Sequence, residues 1–160
     1  MKKRYCSVLP VLFSVIVLSA CGNSADENQS VRPSIEEETR GAQMQEMTVE
    51  VGGQKFQASL YDNETVRALQ ERLPMRFEME ELNGNEKFHY LNEGLPANSE
   101  NVGNIEAGDI MLFGSDCLVL FFEDFTTSFN YTRIGHIEEE EAFVSVLPGG
   151  TVEITFEAGE

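Results

Sequence analysis

The arginine at position 133 is the residue whose surroundings best suit ligand binding. Arg133 lies close to the aromatic residues Phe129 and Tyr131. An arginine between aromatic rings can bind a carbonyl or carboxylate group through its guanidinium. Phe129, Tyr131 and Arg133 are therefore the candidate ligand-binding residues. The alternative is a surface ion pair, because the chain has 28 acidic residues that could face Arg133.

Other residue types that carry chemistry give weak signals. Cys117 opens the apolar run Cys117–Phe122 and fits a small buried hydrophobe better than a nucleophile. His89 and His136 are far apart in the sequence and have no cysteine partner, so they form no zinc motif. The four carboxylates of Glu138–Glu141 point in different directions on a helix and lack the alternating ligands of a calcium loop. The sequence therefore predicts no metal and no cofactor, and it leaves catalytic residues unassigned.

The first 21 residues follow the order of basic, apolar and small residues found in export signals. Met1–Arg4 are mostly basic, and Tyr5–Leu18 carry no charge. That apolar stretch is too short for a membrane span, which needs about 20 residues. Leu18-Ser-Ala-Cys21 resembles the lipobox of bacterial lipoproteins, which implies that residues 1–20 are removed and that the Cys21 thiol carries lipid. The alternative is an ordinary secretory signal.

The net charge of the chain after the predicted signal limits the classes of molecule that it can bind. The chain has 11 basic and 28 acidic residues. Three of the basic residues lie in the predicted signal, so the rest carries 8 − 28 = −20. Nucleic acid is excluded because phosphate binding needs basic surfaces. We therefore expect contact with the membrane, on its extracytoplasmic face, to come only from the lipid on Cys21.

Residues 21–46 are predicted to be the lipidated cysteine and an acidic, disordered tether, because they have almost no apolar periodicity. The folded domain is predicted to span residues 47–160. Apolar residues alternate on both sides of Gly52-Gly53, which predicts a hairpin over 47–60. Asn63 can begin a short helix that ends before Pro74.

The second half of the domain continues as short strands separated by turns. Strands are predicted on both sides of Asn83-Gly84, with Cys117–Phe122 as the most buried strand of the domain. Residues 125–137 read as a strand pair or one long bent strand. A second helix begins near Glu138, and a last strand covers 152–156. About eight short strands and two short helices favour a mainly β closed barrel or sandwich.

Four segments of this domain resemble the bacterial cyclophilin-like proteins: Leu60–Thr65, Glu81–Glu86, Ala107–Gly114 and Tyr131–Gly135. The resemblance implies a closed eight-stranded β-barrel with two short helices. True cyclophilins also have a Phe-Met-x-Gln-Gly-Gly-Asp run, which is missing here, and this chain has no Trp. The resemblance therefore does not carry an isomerase site onto residues of this chain.

Two functions agree with these features. The first is a non-catalytic module that binds a peptide or small molecule, displayed outside the cytoplasm on a lipid anchor. The alternative is a divergent peptidyl-prolyl cis-trans isomerase that acts on exported proteins, with Arg133 binding the proline carbonyl beside an apolar pocket. Whether the protein is an enzyme stays open, as does its oligomeric state.

Overall fold

A computed structural model describes residues 45–159 of the chain. The predicted signal peptide, Cys21 and most of the predicted tether lie outside the described residues. Eight strands form the barrel: β1 Gln45–Val51, β2 Gln54–Leu60, β3 Met75–Leu82, β4 Glu86–Tyr90, β7 Asp109–Phe113, β8 Cys117–Phe121, β10 Asn130–Ile137 and β11 Val152–Ala158. Three strands of two residues and two helices complete the domain: β5 Glu100–Asn101, β6 Asn104–Ile105, β9 Phe125–Thr126, α1 Glu64–Gln70 and α2 Glu140–Val146.

The eight strands close into an antiparallel barrel in the order β2-β1-β11-β3-β4-β8-β7-β10. Closure comes from β10, whose residues Gly135–Ile137 pair with Ala58–Leu60 of β2. Gly135 is required at this contact because a Cβ atom there would lie 2.5 Å from the Ser59 carbonyl oxygen. The short strand β5 pairs with the start of β10, and β6 pairs with β9 in a separate ribbon. The closed barrel therefore matches the predicted fold class.

Two hydrophobic clusters lie on opposite faces of the barrel wall. The larger cluster fills the interior and includes residues of β1, β2, β7, β8, β10, β11 and both helices. On β8, the interior residues Leu118 and Leu120 alternate with Cys117, Val119 and Phe121, which belong to the second cluster. The second cluster therefore lies on the outer face of the wall. Because the barrel closes around its own core, we expect this segment to fold without the preceding residues.

Local signals in the first half of the domain are confirmed. Gly52 and Gly53 have φ values of 60° and 80°, as a two-residue hairpin turn requires. Strand β1 begins at Gln45, two residues before the predicted domain start. The side chain of Asn63 accepts a hydrogen bond from the Val66 amide at 2.9 Å and caps α1. Neither helix within residues 45–159 is long and apolar enough to cross a membrane.

The strand pattern differs from simple expectation at two places. Residues 125–137 do not form a strand pair, because β9 pairs with β6 and not with β10. In β4, the polar residues Lys87 and His89 share the interior face with Leu120 and Leu118, their partners on β8. Phe88 and Tyr90 instead lie on the outer face, so the apolar residues of this strand do not mark the barrel interior. Lys87 is completely buried there.

Candidate functional site

The outer face of β4, β7, β8 and β10 carries a groove with aromatic walls. Its volume is about 700 Å³, within the range of sites that bind small molecules. Four of the five large hydrophobic side chains that are exposed in the described part of the chain line this groove. They are Leu82 (45% exposed), Tyr90 (61%), Phe113 (43%) and Phe129 (62%). This concentration of exposed apolar surface makes the groove the candidate functional site.

The aromatic rings of the groove support one another. The Phe113 ring lies 5.5 Å from the Tyr131 ring and 6.1 Å from the Phe129 ring, measured between centroids. Tyr131 also packs at 5.6 Å against Phe121, which is completely buried. These distances suit tilted and edge-to-face contacts, which hold aromatic pairs in place. The exposed Phe129 ring therefore rests against the exposed Phe113 ring, which in turn packs on the buried Tyr131 ring.

The loop that forms one rim of the groove is tied to the barrel. Phe125, at the start of β9, packs against Phe121 with ring centroids 5.6 Å apart. The Thr127 amide donates to the Gly103 carbonyl at 2.8 Å, and the Asn101 side chain donates to the Ser128 carbonyl at 3.2 Å. These contacts fix residues 125–129 beside β8 and β10. The groove is therefore present before any ligand arrives.

Three titratable groups with altered pKa values line the groove. Burial raises the pKa of Glu86. Burial, together with the nearby charges of Glu86 and Asp116, raises the pKa of Cys117 to about 11. The pKa of Tyr131 is raised by burial and by Glu86. The burial and the raised pKa of Cys117 disfavour the thiolate that a nucleophile needs, and its burial agrees with the small buried hydrophobe expected from the sequence.

The structure brings Phe129 and Tyr131 together but places Arg133 outside their groove. The Arg133 Nε atom lies 3.6 Å from a Glu100 carboxylate oxygen, and its Nη2 atom donates to the Val102 carbonyl at 3.5 Å. The Val102 side chain packs against the outer cluster that contains Tyr131. Arg133 instead lines a polar recess with Tyr61 and His136. The ion pair that the sequence left open as an alternative is present.

A separate recess of about 630 Å³ is lined mainly by acidic residues. Its acidic members are Glu106, Glu123, Asp124, Glu140 and Glu141. His136 also lines it and contacts Asp109 through Nδ1 at 3.0 Å, whereas His89 stacks on Phe77 with ring centroids 4.3 Å apart. Within residues 45–159, no three His, Cys, Asp or Glu side chains are arranged to hold a metal ion.

Sequence reasoning missed the residues that make most of the groove. Tyr90 and Phe113, which line the groove, were not considered as site residues. Glu86 was not considered as a site residue. The signal was the apolar run of β8, because five consecutive buried residues require protein contacts on both faces of a sheet.

The fold is a small closed β-barrel with an exposed apolar groove on its outer wall. The chain belongs to the cyclophilin-like family, whose model matches residues 49–157. A solution structure of a hypothetical protein from Archaeoglobus fulgidus has the same fold. It is 20% identical, with a TM-score of 0.52, and the match covers 72% of this chain and 95% of that chain. At this identity the likeness shows the fold alone. No curated protein matches this chain.

Proposed function

We propose that this protein is a membrane-anchored, extracytoplasmic lipoprotein whose cyclophilin-like domain binds a peptide or small ligand without catalysis. The observation that carries the binding role is the groove itself. Four exposed hydrophobic side chains converge on one preformed cavity. Leaving such a surface in water is costly unless a partner covers it. Ligand binding is the use that this surface supports best.

The chemistry of the groove favours binding over isomerisation. Its described lining contains no Lys, Arg or His side chain. Arg133, the candidate for an isomerase, is engaged with Glu100 and Val102 outside the groove. The Cys117 thiol is protonated at neutral pH because its pKa is raised to about 11. The groove therefore offers apolar surface for a ligand but no positive group beside a proline carbonyl.

The binding proposal is tested with the chain from residue 22 onward, titrated with an apolar peptide containing Phe-Pro. Phe129→Ala should weaken binding several-fold, because it removes an exposed ring of the groove. Tyr61→Ala is the matched control, since Tyr61 is 44% exposed but does not line the groove. Equal effects of the two variants would contradict the assignment. Acceleration of prolyl isomerisation that Arg133→Ala abolishes would instead establish the isomerase alternative.

The anchor proposal is supported by the basic start, the uncharged stretch and the lipobox-like residues before Cys21. Two acyl chains on one cysteine give stable membrane attachment, because each buried methylene contributes about 0.8 kcal/mol. We expect Cys21→Ala to abolish labelling by a radioactive fatty acid and to release the protein from the membrane fraction. Cys117→Ala is the control and should label normally. Continued labelling of Cys21→Ala would refute the anchor.

A further inference from the structure

The groove holds one charged side chain among its aromatic walls. Glu86 is the only charged group among the described residues that line it. It begins β4 on the same outer face as Phe88, and its charge acts on both Cys117 and Tyr131. Its carboxylate therefore lies within electrostatic reach of the groove floor. A carboxylate in an apolar groove is unfavourable unless a positive group meets it.

No Lys or Arg in the described part of the chain pairs with Glu86, because each of them interacts with other groups. Lys55 pairs with Glu157, Arg67 with Asp62, Arg72 with the carbonyls of Glu93 and Gly94, Arg76 with Glu153, Lys87 with Glu81, and Arg133 with Glu100. Burial raises the pKa of Glu86, as expected of a carboxylate that has lost water without gaining a cation.

A second group in the groove also lacks a hydrogen-bond donor. Asn85 lines the groove beside Glu86, and its Oδ1 atom is buried with no donor among the described residues. Buried acceptors are nearly always paired in folded proteins. Because the Asn85 Oδ1 atom has almost no accessible surface, Glu86 is the acceptor that a ligand in the groove can reach. The aromatic rings add the negative potential of their faces. Glu86 and the rings both attract a cation that carries several N–H groups.

We infer that the groove recognises a peptide segment that presents a lysine or arginine side chain between apolar residues, with Glu86 selecting the positive charge. This inference rests on the proposed binding function and names its ligand. The apolar residues would cover the rings of Phe113 and Phe129, while the ammonium or guanidinium meets Glu86. The excess of acidic residues in the domain would favour the approach of a basic peptide.

The test compares two peptides that differ only in charge. The probes are acetyl-Phe-Lys-Phe-amide and its norleucine counterpart, titrated by NMR into the chain from residue 22 onward. We expect the lysine peptide to bind about tenfold more tightly, the scale of one charge-assisted hydrogen bond with a cation–aromatic contact. Glu86→Gln should reduce this preference to about twofold or less. Glu93→Gln is the matched control, because Glu93 is exposed and lies outside the groove, and it should keep the full preference.

The outcomes distinguish failure of the charge selection by Glu86 from failure of the proposed binding function. Equal binding of both peptides to the groove, or a preference that survives Glu86→Gln, would overturn the charge selection and leave the binding function intact. Binding of neither peptide would overturn the proposed function and this inference with it. The amide resonances of β1 and β11, far from the groove, report whether each variant keeps its fold.

Discussion

Replacing Lys87 by methionine should destabilise the barrel far more than replacing a surface lysine. Lys87 is completely buried on β4. Its ammonium donates to Glu81 Oε2 at 2.8 Å, to the Pro148 carbonyl at 2.8 Å and to the Gly150 carbonyl at 2.7 Å. It therefore links the strand that carries Glu86 and Phe88 to the segment between α2 and β11.

The expected loss in the free energy of unfolding follows from the hydrogen bonds that methionine cannot make. Methionine matches the length of the lysine stem but donates no hydrogen bond, so the Pro148 and Gly150 carbonyls lose the Lys87 donor, whereas Glu81 Oε2 keeps the Gly150 amide. Removing one partner of a buried ion pair costs about 3–5 kcal/mol. Glu81 is 30% exposed and can regain water, so we take the lower end, about 3 kcal/mol. For a domain of this size, that loss lowers Tm by about 12 °C.

The assay is urea unfolding at neutral pH. Unfolding is monitored by far-UV circular dichroism, because the chain has no Trp whose fluorescence could report it. Lys55→Met is the control: Lys55 pairs with Glu157 at 2.7 Å, but its side chain is 56% exposed, and the loss should stay below about 1 kcal/mol. The contact with Lys87 also lowers the pKa of Glu81 below 4.5, so its stabilisation is present above that pH and is lost as the pH falls through the lowered value. Equal losses in the two variants at neutral pH would refute the reasoning.

Two further perturbations probe the groove. Burial raises the pKa of Glu86, so the fold gains stability as the pH falls through that raised value. Glu86→Gln should therefore raise the urea midpoint at neutral pH, by a margin that shrinks in acid; a lower midpoint at neutral pH would contradict the burial of this carboxyl. Cys117, with its pKa raised to about 11, should react slowly with a thiol reagent in the folded chain from residue 22 onward and rapidly once unfolded in urea. Equal rates would show that the groove floor is open to solvent.

The elements that the sequence predicted well are those set by local chemistry. The hairpin depends on two glycines that adopt positive φ, and α1 depends on the cap from Asn63, and both are encoded within a few residues. The closed barrel followed from the number and spacing of short strands and from the family resemblance. Its eight-stranded order was not visible in any one segment, because closure depends on β10 meeting β2 across more than 70 residues of chain.

The groove was harder to predict, because β8, which forms its floor, is apolar on both faces. Period-two alternation identifies the buried face only when the other face is polar. On β4, the aromatic residues Phe88 and Tyr90 lie on the outer face, and the interior position belongs to Lys87. The Lys87 ammonium pairs with Glu81 and donates to two carbonyls. The sequence also could not show that Arg133 lies outside the groove that Tyr131 lines. Val102, from a distant loop, accepts a hydrogen bond from Arg133 through its carbonyl and packs its side chain against the outer cluster that contains Tyr131.

The most direct test of the binding site is a set of intermolecular nuclear Overhauser effects between the lysine peptide and the chain from residue 22 onward. We expect contacts from the peptide rings to Phe113, Phe129 and Tyr131, and from the lysine ε-methylene protons to groove residues next to Glu86. Contacts confined to the recess around Arg133 and Tyr61 would contradict the assignment of the aromatic groove as the ligand site.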